Sequence, residues 1–241
     1  IFPHYGITVS KELQRYYGAR YGVKVHYIPS GVRKMEKRRA NFIRSFGLFG
    51  KDYFLFVGRL VPEKRIDDVI RAFLRTKRES KLVIVGESSG TDAYVAQLRR
   101  MANGHTSIIF AGYQYGDNLE EFYSNARAFV SASELEGLPL TMLEALSYGL
   151  PCIASDIPPH KEILEDQLDL LFPTGQIETL SNLLVRFDEA SEAVLADSGS
   201  RAMAILDRDF DWDHIAGATE GLYEESLKGI RPPAGANPRQ R

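Results

Sequence analysis

Short, continuous apolar runs alternate with longer amphipathic stretches along most of this chain, and that alternation narrows its fold more than any other feature. The runs lie at 25–28, 53–57, 82–85, 108–110, 128–131, 152–154 and 170–172. They are apolar at successive positions, not at every second one, as parallel strands covered on both faces are. Helix-like segments fall between them at 66–77, 92–102, 117–125, 139–149, 158–165 and 177–188. This order predicts an α/β fold built on a doubly wound, Rossmann-like parallel sheet. Ligands of such sheets bind beyond the carboxyl ends of the strands. Functional residues are therefore expected in the loops that leave the strands.

Two regions stand outside the repeat. Near the start, residues 6–9 read as a strand, followed by a helix that Ser10 can cap through its hydroxyl. Near the end, residues 211–227 read as a helix carrying Trp212, Ile215 and Leu222. The remainder, Pro-rich and basic, is expected to be a disordered tail. A length of 241 residues allows one large domain, or one domain and a fragment of another, and 44% hydrophobic residues suffice for a full core. The net charge of −2 gives no electrostatic footprint for DNA or RNA. A lone cysteine, Cys152, cannot form an internal disulfide and fits a reducing, cytoplasmic setting. No apolar run reaches the roughly 20 residues that cross a bilayer. The chain starts Ile-Phe-Pro-His-Tyr-Gly, without a methionine or the features of a signal peptide, and is expected to be a fragment that begins mid-protein.

The strongest chemical signal runs from Glu136 through Gly137, Leu138, Pro139 and Leu140 to Glu144. It follows the strand at 128–131 and opens a helix expected to start at Pro139 and end at Gly149. Met142, Ala145, Leu146 and Gly149 share one face of that helix, and further leucines make it largely apolar. Glu144 therefore needs hydrogen-bond partners, because an unpaired buried carboxylate is costly. Either it forms a structural ion pair or cap, or it accepts from two ribose hydroxyls. Glu136 lies eight positions earlier, about 12 Å along a helix. Glycosidase carboxylate pairs sit roughly 5–9.5 Å apart. The two glutamates therefore suit opposite ends of a long ligand better than one shared acid–base site, with amides of the helix start facing a pyrophosphate between them.

The second signal is Gly58-Arg59-Leu60-Val61-Pro62-Glu63-Lys64, in which two cations follow a strand end. Arg59 can grip phosphate oxygens with its planar fork and Lys64 adds a point charge. Such a pair can stabilise a diphosphate as a leaving group. The competing reading is a surface ion pair between Arg59 and Glu63, of little energetic weight.

Together these segments resemble the retaining glycosyltransferases with two Rossmann-like domains, the GT-B fold, of the large group 1, family 4 set. The resemblance extends over nearly the whole chain and is to the C-terminal, donor-binding half. Thr8 to Glu12 and Tyr27 to Val32 are similar to the family's passage from its first domain to its second. Gly58-Arg59-Leu60 with Glu63-Lys64 resembles its diphosphate motif, Ile109 to Tyr113 its base-binding loop, and Glu136 to Glu144 its two-glutamate motif. Gly149 to Asp156 and the later Glu162 continue the pattern. Phe210-Asp211-Trp212 with Tyr223 resembles the helix that crosses back to the first domain.

The resemblance implies a division into 1–24 (remnant of the first domain and hinge), 25–208 (nucleotide-sugar-binding domain), 209–228 (crossover helix) and 229–241 (tail). It implies that Arg59 and Lys64 contact the donor diphosphate, and that Glu136 binds donor-sugar hydroxyls with amides near Gly137, Leu138 and Leu140. Glu144 would bind the ribose, and the backbone at Tyr113 and Gln114 the base. Arg59, Lys64 and Glu136 would be the catalytic set. The family needs no cofactor or bound metal, because the cations neutralise the departing diphosphate. It retains anomeric configuration and acts on glycan or lipid-linked acceptors, here at the inner face of the membrane. Three positions depart from the pattern. Ser30 stands where asparagine is usual, Pro139 where glycine is common, and Arg65 where glycine is frequent; Pro139 also removes an amide donor. The first domain's glycine-rich loop and histidine are missing, so the chain by itself is expected to bind nucleotide sugar without turning it over. His4, His26, His105, His160 and His214 read as surface or core residues. Two other readings compete. A dinucleotide oxidoreductase would need three-glycine spacing that Gly86-Glu87-Ser88-Ser89-Gly90 lacks. A non-catalytic nucleotide-sugar-binding module, or an epimerase-like protein, would keep the same donor site.

Overall fold

The computed structural model describes residues 6–229; the expected disordered tail, apart from Gly229, and His4 lie outside them. Six parallel strands form the main sheet: β3 (Tyr53–Val57), β4 (Lys81–Val85), β5 (Ile108–Gly112), β6 (Ala128–Ser131), β7 (Cys152–Ser155) and β8 (Leu171–Phe172), in the order β5-β4-β3-β6-β7-β8. From β3 the chain winds outward through β4 and β5, then returns to the other side of β3 and winds through β6 to β8. The strand order therefore reverses between β3 and β6, and a crevice is expected outside their carboxyl ends.

Side chains alternate across the sheet, so each strand feeds two cores. Leu55, Val83, Val85 and Phe129 pack with helices α4 (Gly116–Asn125), α5 (Leu140–Ser147) and α8 (Glu192–Asp209). Phe54, Phe56, Leu82, Ile84 and Val130 pack with α2 (Ile66–Thr76), α3 (Asp92–Met101) and α7 (Ile177–Asp188). Burying a large apolar side chain contributes about 1.5–3 kcal/mol. Apolar residues at every strand position therefore stabilise a sheet only when both faces are covered, which explains the continuous runs. Among the described residues no helix is long and apolar enough to cross a membrane.

Three local expectations change. The run at 25–28 was placed in the large domain, but β2 (Val25–Tyr27) pairs with β1 (Gly6–Thr8) in a separate two-stranded parallel sheet. With α1 (Lys11–Tyr21) between them, β1 and β2 form one crossover unit, which a boundary after residue 24 would cut. Ser10 caps α1 as expected, its Oγ accepting from the amides of Glu12 (3.1 Å) and Leu13 (3.3 Å). Glu162, on α6 (Pro158–Ile163), docks this unit: its carboxylate accepts from the amides of Lys11 (3.1 Å) and Glu12 (3.0 Å), where the helix dipole favours an anion.

The second change is α8, which the sequence did not suggest. Its buried side includes Ser198, Gly199 and Ala202 beside Leu195, Ile205 and Leu206, so large apolar residues mark the period only faintly. Gly199 is required by contact: a Cβ there would lie 2.5 Å from the carbonyl oxygen of Gly149, at the turn after α5. The third is α5 itself, which begins at Leu140. Pro139, expected inside the helix, precedes it with ψ 82° and receives the amides of Met142 (3.0 Å) and Leu143 (3.2 Å) on its carbonyl. The final helix, α9 (Trp212–Gly229), follows an isolated bridge between Val32 and Asp211.

Candidate functional site

A cleft of about 630 Å³ opens at the carboxyl ends of β3, β4 and β5, against the starts of α4 and α5. Arg59, Lys64, Glu136 and Glu144 all line it, as do Gly58, Tyr113, Gln114, Leu138 and Leu140. Gly137 is exposed and does not line it. The residues named from three distant sequence segments therefore meet in one place.

Gly58 ends β3, and the chain crosses the rim through Arg59 into a tight turn, Pro62–Lys64. Arg59 is exposed and makes no ion pair among the described residues; the anticipated pairing with Glu63 is absent. Lys64 differs. Its Nζ donates to Glu136 Oε1 at 2.5 Å, with side chains 17% and 10% exposed. The cation expected at the diphosphate and the carboxylate expected at the sugar thus touch each other, which sequence spacing could not show. Arg65, next in the chain, has φ +47°, in the left-handed region that favours glycine. Its guanidinium compensates by binding Asp68 (2.6 Å) and Glu134 (3.0 Å). This gives a physical reason for the glycine that the resemblance places here, and for how arginine is tolerated.

Glu144 is half-buried on α5. Tyr123, on α4, donates its hydroxyl to Glu144 Oε2 at 2.9 Å, and the Tyr148 ring stacks on Tyr123 at 5.5 Å. Burial lifts the Glu144 carboxyl above the usual carboxylate range, and the Tyr123 hydrogen bond partly opposes it. The needed hydrogen-bond donor therefore exists, but it is a phenol that leaves one carboxylate oxygen for other partners. Tyr123 was missed because nothing in its own segment connects it to the glutamate motif. The amide of Leu140, expected to face a ligand, donates instead to the Leu138 carbonyl at 2.9 Å.

At the other end of the cleft, the rings of Tyr113 and Tyr115 stand exposed with centroids 6.0 Å apart, and Gln114 Nε2 donates to the Ala111 carbonyl at 2.7 Å. The loop after β4, Gly86 to Ser89, also lines the cleft. In the sequence it stands out only as a dinucleotide motif that lacks the required glycine spacing. Its sequence signal was its position directly after a strand.

Beneath the site His160 is fully buried, a core residue as anticipated. Its Nδ1 lies 2.8 Å from the Ser155 carbonyl oxygen. Burial lowers its pKa to about 4, from 6.5 in the unfolded chain. A histidine held neutral in this way contributes stability above pH 6.5 that is lost as pH falls toward 4. Unfolding free energy is expected to be about 2 kcal/mol lower at pH 5 than at pH 7 from this group. Urea titrations at the two pH values should show this difference shrinking in His160→Asn; an unchanged difference would assign the acid sensitivity elsewhere. Among the described residues no group of three His, Cys, Asp or Glu side chains gathers to hold a metal ion.

The family model for glycosyl transferases group 1 matches residues 39–194. An uncharacterized glycosyltransferase of Methanocaldococcus jannaschii is 27% identical over 92% of this chain and 60% of its own length. The alpha-galactosylglucosyldiacylglycerol synthase of Streptococcus pneumoniae is 28% identical over 84% of this chain and 55% of its own. An Anabaena protein solved in complex with UDP and glucose superposes with a TM-score of 0.81 at 19% identity, over 95% of this chain and 64% of that one. The chain thus spans less than two thirds of each of these proteins. A match across the sheet and both cation and glutamate segments leaves one conclusion: the chain belongs to the group 1 glycosyl transferases.

Proposed function

We propose that this chain is the donor-binding half of a retaining glycosyltransferase that moves a hexose from a nucleoside-diphosphate sugar to a glycan or lipid-linked acceptor. The observation that carries this reading is the convergence of Arg59, the Lys64–Glu136 pair and Glu144 in one cleft at the switch point of the sheet. Arg59 and Lys64 hold the diphosphate and stabilise it as it leaves, so that charge neutralisation comes from side chains without a metal ion. Glu136 accepts from hexose hydroxyls while keeping Lys64 oriented. Glu144 accepts from ribose hydroxyls through the oxygen that Tyr123 leaves available. The loop at Tyr113 and Gln114 holds the base. In the transfer, the bond from the anomeric carbon to the diphosphate oxygen breaks. The acceptor oxygen bonds on the same face, and its proton passes to the departing phosphate. The Anabaena protein's complex with UDP and glucose supports a nucleotide-sugar donor. The pneumococcal relative's name supports a lipid-linked acceptor. Cytoplasmic placement, at the inner membrane face for such an acceptor, belongs to the same proposal.

Calorimetric titration with UDP, GDP and their glucose or mannose conjugates tests the assignment. Glu144→Gln is expected to weaken bare nucleotide and nucleotide sugar alike by about tenfold, the worth of one hydrogen bond to a charged group. It should also raise thermal stability at neutral pH. The folded state lifts the Glu144 pKa, so the ionised carboxylate is disfavoured there above the carboxylate range, and an amide removes that penalty. Glu136→Ala is expected to weaken sugar-bearing ligands more than bare nucleotide, which loses only the orientation that Glu136 gives Lys64. Equal losses for both ligand types in both variants contradict these roles.

A further inference from the structure

A second cavity, of about 530 Å³, opens at the opposite end of the strands. Its walls include Lys51, Arg127 and Pro151, which lie just ahead of β3, β6 and β7, at the amino ends of strands whose carboxyl side faces the donor cleft. Four cations, Lys34, Lys37, Lys51 and Arg127, face one acid, Glu192. None of the four makes an ion pair among the described residues, although ion pairs are common elsewhere on the surface. Two of them are fixed on carbonyl groups: Lys51 Nζ donates to Ala126 at 2.7 Å, and Arg127 Nη1 donates to Phe187 at 3.0 Å. Arg127 Nε also donates to the Lys51 carbonyl at 2.8 Å, which holds the two side by side. The segment carrying Lys34 and Lys37 is pinned over the cavity by the Met35 amide on the Ser147 carbonyl at 3.1 Å.

Four like charges set against a single carboxylate raise the energy of the folded chain, and a multivalent anion relieves this more than separate small ions do. Burial chiefly, and then the nearby charges of Lys37 and Arg127, lower the Lys51 pKa to about 8. Met35, Leu195 and Met203 add apolar wall, Ser147 and Ser200 add hydroxyls, and the volume lies within the usual range for small-ligand sites. We propose that this basic cavity is a second binding site, separate from the donor cleft, for a phosphate-bearing ligand: a phosphorylated small molecule or the phosphate of a lipid headgroup.

The test begins with Arg59→Ala/Lys64→Ala protein, so that the donor cleft contributes little and the result does not depend on the role assigned to it. Inorganic pyrophosphate is titrated by calorimetry, and sedimentation with phosphatidic acid–phosphatidylcholine vesicles is measured in parallel. Adding Lys34→Ala/Lys37→Ala, or separately Lys51→Gln, is expected to weaken pyrophosphate binding at least tenfold. Lys34 and Lys37 are exposed loop residues, so that pair should leave folding intact; circular dichroism checks this. If only vesicle binding falls, and falls in both sets, the phosphate comes from a lipid. Vesicle binding that depends on Lys34 and Lys37 but not on Lys51 is surface adsorption and overturns the proposal. So does binding of both probes that is indifferent to all three lysines, or no binding of either.

Discussion

Lys64→Ala is expected to weaken nucleoside-diphosphate binding by about 10- to 100-fold, and to lower the thermal stability of the unliganded chain as well. The first effect follows from losing one hydrogen bond to a charged group, about 1.5–3 kcal/mol. The second follows from the ion pair: Glu136, 10% exposed, would lose the ammonium 2.5 Å away. Breaking such a pair from one side costs more than the pair contributes, because the remaining charge is left poorly solvated. The double variant Lys64→Ala/Glu136→Ala is therefore expected to recover part of the stability and none of the binding. Calorimetry and thermal melts on Lys64→Ala, Glu136→Ala and the double variant separate the two effects. A Lys64→Ala protein that binds UDP as tightly as the parent removes the cation from the diphosphate site.

Gly86→Ala is expected to lower unfolding free energy by about 3 kcal/mol or more, among the larger effects of a single methyl group. Gly86 has φ +144°, and an added Cβ would sit 1.8 Å from the carbonyl oxygen of Gly58. That obstacle is backbone of the adjacent strand end, which is itself tied down: the Gly58 amide donates to Val85 at 3.0 Å and the Leu60 amide to Glu87 at 2.9 Å. Either β3 and β4 part at their carboxyl ends or the loop after β4 changes path, and both movements distort the cleft wall. Nucleotide binding should therefore fall together with stability. Gly90→Ala is the control, since it has φ +74° but open space around its Cβ position. It should cost only the left-handed backbone penalty, about 1–2 kcal/mol. Urea unfolding that finds the two variants equal would mean that the Gly58–Gly86 approach relaxes without strain.

The cleft shows which parts of a site local sequence reveals. Gly58, Arg59 and Lys64 were legible because they follow a strand signal at once, and Glu136 and Glu144 because they bracket a helix start. Each of these inferences needs only neighbours in the chain. Tyr123 was not legible, since its hydroxyl meets Glu144 only where α4 packs against α5. The Gly86 to Ser89 loop was visible as a strand end but not as a wall of the same cleft, because that depends on β4 lying beside β3. Arg65 shows the reverse: a departure from the family's glycine became intelligible once its φ and its two carboxylate partners were known.

By itself the sequence determined that the chain forms a two-faced parallel sheet with helices between its strands, and that the loops after two strands carry charge. Periodicity and composition report burial face by face, and burial is the dominant energy in such a sheet. Only the tertiary structure decided that Lys64 and Glu136 touch, that β2 joins β1 instead of the large sheet, and that four cations without ion pairs gather at the amino ends of the strands. Those outcomes depend on strand order and on which loops meet. They are long-range choices, and no local pattern of side chains encodes them separately.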